Sequence, residues 1–141
     1  MSTVLWANHL LNNGDLVSDE SDKGALFKHA NKLDKLASAA GLEPFSSLLD
    51  HTDIQFNMGD GELPAGMQST NELMARDGVW VSADDALAIL SGLLAVITTE
   101  KPRFGVINND YGAIVAELSE SIEYARKVSE LGGKFNFSVV M

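Results

Sequence analysis

Hydrophobic and polar positions follow two rhythms along the chain. Residues 3–11 are β-prone, and Asn12-Asn13-Gly14-Asp15 then supplies the turn chemistry of a hairpin ahead of Leu16-Val17. This predicts a short hairpin or a strand with a return. Ser18 to Asp22 is a cluster of N-cap residue types with acids suited to a helix start. Leu26, Ala30, Leu33, Ala37 and Ala40 then recur at steps of three or four, one face of a helix over residues 22–40. Gly41 and Pro44 stop it.

Residues 42–81 are less regular. One helical turn is expected over Ser46–Asp50, and the alternation of Ile54, Phe56 and Met58 suggests a short strand. Gly59 to Gly66 is rich in glycine and reads as loop. Ser69-Thr70-Asn71-Glu72 is a capping box opening a short helix that Asp77-Gly78 closes. Val79-Trp80-Val81 is a short extended segment.

Ser82 to Asp85 caps a central helix over residues 83–99. Ala86, Leu87, Ile89, Leu90, Leu93, Leu94, Val96 and Ile97 cover one side, and Ala88, Ser91, Gly92 and Ala95 make the other side small, so packing on both sides is expected. Asn108-Asn109-Asp110 caps a last helix over 111–131, with Ile114, Leu118, Ile122, Ala125 and Val128 on one face. Beyond Gly132-Gly133, Phe135, Phe137, Val139 and Met141 alternate with mostly polar neighbours, a strand with one buried face. The fold class is α+β: three main helices packed around a central apolar helix, with a small, mostly antiparallel sheet that includes the N- and C-terminal strands.

Length adds that residues 1–141 form a single globular domain, since about 100–200 residues make one domain. The hydrophobic share of 45% and charged share of 21% are those of a folded chain. With no cysteine there is no disulfide framework, thiolate metal site or cysteine nucleophile. The N-terminus lacks the basic start and long apolar run of a signal peptide, so a cytoplasmic protein is expected. The uncharged run from Ala86 to Thr99 falls short of the ~20 residues a membrane span needs.

Charge changes the picture most. The net charge is −10, and the segment 42–100 holds one base, Arg76, against ten acids. Residues 1–41 carry four bases and five acids, and residues 101–141 carry five of each. Such a surface repels phosphate backbones and anionic lipid, so neither nucleic acid nor membrane is an expected partner. It attracts a basic protein surface or a cation.

Candidate chemistry is sparse. Asp50-His51-Thr52-Asp53 is the densest titratable cluster, but it lacks the spacing of a metal site and reads as a surface turn. Asn57 to Glu62 matches a calcium loop in composition only. His9 and His29 are isolated, and no serine or cysteine stands in a nucleophile motif. Lys28, Lys32 and Lys35 form a stripe interrupted by Asp34, a solvated helix face or a docking face. No catalytic residue, metal ligand or cofactor is therefore assigned.

The expected function is a non-enzymatic protein-binding domain. Asp50, Asp53, Asp60, Glu62, Glu72 and Asp77 present an acidic surface to a basic partner, with Trp80 at its edge as an aromatic anchor or as core. A bacterial immunity protein that neutralises a toxin has this composition, a comparison of class that no motif carries. The alternatives are a structural subunit or homo-oligomer, and a small enzyme with a carboxylate or histidine site near residues 50–62.

Overall fold

The computed structural model describes residues 3–59 and 62–141. The N-terminal hairpin consists of β1 (Val4–Leu10) and β2 (Leu16–Lys23). Its turn is closed by Leu11 and Gly14, where Gly14 takes a φ of 91° that other residues rarely adopt. The cap-like residues Ser18 to Asp22 lie inside β2 and start no helix. Pairing with β1 overrides their local preference, and the register shifts between Leu5 and Ala7.

The expected first helix is two pieces, α1 (Gly24–Lys28) and α2 (Ala30–Ala39), broken at His29. The His29 ring is drawn to the segment 104–110, with Nε2 2.8 Å from Asp110 Oδ2 and its edge on Phe104. A 3₁₀ turn (Phe45–Leu48) leads to β3 (Leu49–Asp50). The residues expected as a strand at 54–58 form α3 (Thr52–Met58), and the Asp50 carboxylate accepts from the Thr52 N–H at its entrance. The helix α4 (Thr70–Asp77) follows, and the Ser69 hydroxyl accepts from the Glu72 N–H as the capping box implies. β4 (Val81–Ser82), α5 (Ala83–Glu100), α6 (Tyr111–Glu130) and β5 (Lys134–Val140) complete the chain.

β5 organises the sheet. It pairs antiparallel with β1 along its whole length, from Val4 opposite Val140 to Leu10 opposite Lys134. Its other edge is shared by β3, parallel at Phe137 and Ser138, and β4, antiparallel at Lys134 and Phe135. One face of the sheet carries Leu5, Ala7, Phe135, Phe137 and Val139 into the core, where they meet Leu26, Leu33, Leu90, Leu93, Ile114 and Leu118 of the helices. Burying a side chain of this size contributes roughly 1.5–3 kcal/mol.

Two details differ from the pattern-based expectation. β5 is buried on both faces, since Asn136 and Ser138 are as enclosed as the phenylalanines beside them. The small side of α5 is largely open: Ala88, Ser91 and Ala95 are exposed, while Gly92 lies close to Leu42. Among the described residues, no helix is long and apolar enough to cross a membrane.

Candidate interaction site

The polar face of the sheet is built from a side-chain ladder. Asn8 and Asn136 stand opposite each other on β1 and β5, and the Asn8 amide donates to Asn136 Oδ1 at 2.9 Å. The Ser18 hydroxyl donates to Asn8 Oδ1 at 2.6 Å, and the Asn136 amide donates to the Val79 carbonyl at 2.8 Å. These bonds satisfy buried polar groups that would otherwise destabilise the fold. They also bind β2, β1 and β5 to the segment leaving α4.

α3 and α4 cover this face. Asp50 fixes their ends: its carboxylate accepts from the Thr52 N–H and hydroxyl at 3.0 Å and from the Val79 N–H at 2.9 Å. Gly78 permits the approach, because a Cβ there would lie 2.5 Å from the Met74 carbonyl oxygen and 2.8 Å from Asp50 Oδ1. Between the helices the Thr70 hydroxyl donates to Asp53 Oδ1 at 2.6 Å, and the Asn57 amide donates to Asp53 Oδ2 at 3.1 Å. Charge-assisted bonds of this kind are among the stronger ones in proteins.

A cleft of about 230 Å³ remains between this helical cover and the sheet. Trp6, Ser138, Val140 and Met141 line it from the sheet side, and Asp53, Thr70, Asn71 and Met74 from the helices. The Trp6 indole is fixed by its N–H, which donates to Asp22 at 2.8 Å.

The sequence-based site residues separate into distinct environments. Asp50 is 2% exposed and holds three internal donors, so its charge is used within the fold and does not reach a partner. Asp53 is half-buried in the cleft wall, and Glu72 is exposed in the first turn of α4, accepting from the Gln68 N–H. The Thr70–Asp53 bond brings these two acids into one α3–α4 unit. Glu62 is exposed. Asp77, at the far end of α4, is paired to Arg76 with Nη2 2.6 Å from Oδ2, and this bond holds its carboxyl below the usual range. Trp80 is half-buried, its indole N–H donating to the Met74 carbonyl at 2.9 Å, so it anchors α4. Asp60 lies outside the described residues.

The cleft residues Trp6, Asn71 and Ser138 were not legible as a site. They come from three separate elements, β1, α4 and β5, and share no local sequence signal. Among the described residues, no group of three or more His, Asp or Glu is placed to hold a metal ion. No protein family, curated protein or solved structure matches the chain.

Proposed function

We propose that the chain is a non-enzymatic protein-binding domain, acting in the cytoplasm, that receives a basic partner on its α3–α4 face. The observation that carries this reading is the Thr70–Asp53 clasp. It holds Asp53 at a cleft and Glu72 on the adjoining helix, in the segment where acids outnumber bases ten to one. Such a surface speeds encounter with a positively charged protein. A basic toxin enzyme, neutralised as by bacterial immunity proteins, is a partner class of suitable charge. A carboxylate–histidine enzyme site near residues 50–62 has less support: Asp50 is saturated by internal donors, and Asp53 is held by Thr70 and Asn57.

Stopped-flow association with a basic protein that co-purifies with the tagged chain tests the reading. The on-rate should fall as salt rises from low to physiological strength, because screening acts beyond ~8 Å there. Glu62→Lys combined with Glu72→Gln, which keeps an acceptor for Gln68, should lower it about tenfold with little change in Tm. An on-rate unmoved by both removes the acidic face from consideration.

A further inference from the structure

On the helical side of the molecule, the connection between α5 and α6 exposes two adjacent large apolar residues. Val106 is 94% and Ile107 90% exposed. The loop that carries them is tightly built. Phe104 is fully buried at its base, and the Asn109 side chain accepts from the N–H groups of Phe104 at 2.9 Å and Tyr111 at 3.1 Å. The Asp110 N–H donates to the Phe104 carbonyl at 2.7 Å. The Arg103 guanidinium donates to the carbonyls of Gly105 at 2.8 Å and Val106 at 3.1 Å, so the peptide groups of the tip are held from inside the loop. Gly105 takes a φ of 112°, and a Cβ there would lie 2.2 Å from the Asn108 carbonyl oxygen. A loop whose backbone is held this way loses little conformational freedom when its tip is covered, which favours docking.

The tip stands in basic surroundings. Lys32 donates to the Arg103 carbonyl, Lys28 lies 3.3 Å from Asp110, and Lys28, Lys32 and Lys35 line one surface depression beside it. The opposite combination is found on the other side of the sheet, where the α3–α4 cleft has an apolar lining from Trp6, Met74, Val140 and Met141 and carries the Asp53 carboxylate.

We infer that the Val106–Ile107 tip docks into the α3–α4 cleft of a second copy of this chain. The inference rests on the α3–α4 face being a receptor for basic surfaces. Its support is complementarity: an apolar pair with lysines beside it on one patch, and on the other a cleft lined by Trp6, Met74, Val140 and Met141 with the single carboxylate of Asp53 in its wall. The two patches belong to opposite layers, so one chain cannot join its own. The contact is heterologous and extends head to tail or closes as a ring. An anionic membrane would meet the lysines but leave the α3–α4 cleft unfilled.

Sedimentation velocity on the full chain, at low and high protein concentration and at two salt strengths, reads the outcome. Wild type should self-associate with concentration, and more weakly as salt rises. Val106→Ser with Ile107→Ser should weaken association at least about a hundredfold at unchanged Tm, since each apolar side chain is worth about tenfold or more. Asn71→Lys, an exposed cleft position, should also give a monomer. Mixing the loop variant with Asn71→Lys should restore a dimer, because one supplies an intact cleft and the other an intact tip. A chain monomeric at all concentrations, association indifferent to the loop variant, or failure of the mixture to dimerise would each overturn the inference. So would binding to vesicles containing phosphatidylserine without self-association. The loop variant leaves the acidic face intact, so its on-rate with a basic protein should be unchanged. Failure of the wild type to self-associate, while its on-rate with a basic protein still falls with salt, counts against this inference alone.

Discussion

The ammonium of Lys23 lies 3.2 Å from the carboxylate of Glu120, and Lys23 has no solvent-exposed surface of its own. Asp19 lies a further 3.2 Å contact away, and the Ser21 carbonyl accepts at 3.1 Å. The register shift in the hairpin makes this possible by setting both Lys23 and Asp19 opposite core-facing residues of β1, Leu5 and Ala7. A buried charge persists only when paired and hydrogen-bonded, and here the pairing joins the hairpin to α6.

Lys23→Ala should therefore destabilise the fold by about 2–4 kcal/mol, through lost stem packing as well as lost charge. Lys23→Met should lose less, because it keeps the stem and leaves behind acids that are partly solvated. The Ser21 hydroxyl and the Lys23 charge hold Glu120 below its ordinary value of 4.5, against burial. A folded pKa below the unfolded one means that the stability it contributes is present above about 4.5 and lost as pH falls further. Urea unfolding at neutral and acid pH checks both statements; equal losses for the two variants would remove the packing argument.

The polar ladder under α4 should be as sensitive as the apolar core. Asn136→Ala removes the donor to the Val79 carbonyl and one of the two acceptors of the Asn8 amide, which keeps only the Trp6 carbonyl at 3.3 Å. A loss of about 2–3 kcal/mol is expected, comparable with the ~2–5 kcal/mol of Leu90→Ala in the core. Thermal unfolding of the two variants side by side measures the ratio. A loss under about 0.5 kcal/mol for Asn136→Ala would mean that water replaces its bonds freely.

Tyr124 sets an alkaline limit. Its hydroxyl donates to the Val17 carbonyl at 2.9 Å, and burial, followed by the Asp19 charge, pushes its pKa from 10.0 up to about 12. Because the folded value lies above the unfolded one, this contribution is complete below about 10 and is lost as pH rises toward about 12. Tyr124→Phe should be about 1 kcal/mol less stable at neutral pH and lose less in alkali. Denaturation across this pH range, followed by circular dichroism, would show parallel curves for both proteins if Tyr124 is not responsible.

Gly105→Ala should disturb the α5–α6 loop without reaching the core. The added Cβ meets the Asn108 carbonyl oxygen and the positive φ disfavours any side chain, so a loss of about 1–3 kcal/mol or a rearranged loop is expected. Self-association should weaken with it, since the tip is no longer held in place. Amide hydrogen exchange over residues 104–111 distinguishes a loosened loop from global unfolding; unchanged protection there would show that the loop tolerates the methyl group.

The long elements were legible because their signals are local. The step pattern of Ile89, Leu90, Leu93 and Ile97, capped by Ser82, specified α5. The step pattern from Ile114 to Val128 specified α6, and the β-prone termini pointed to the β1–β5 pairing that closes the sheet. What only the tertiary structure decided were features whose reason lies far along the chain. Residues 18–22 carry helix-cap chemistry, yet pairing with β1 makes them strand. Asp50 reads as a surface acid, yet the Val79 N–H, distant in sequence, draws it inside. Asn136 and Ser138 read as the solvent side of a strand, yet α3 and α4 cover them and create the cleft. Periodicity reports which face of an element avoids water. It carries no record of which other element arrives to cover the remaining face, because that depends on contacts between residues the local pattern does not connect.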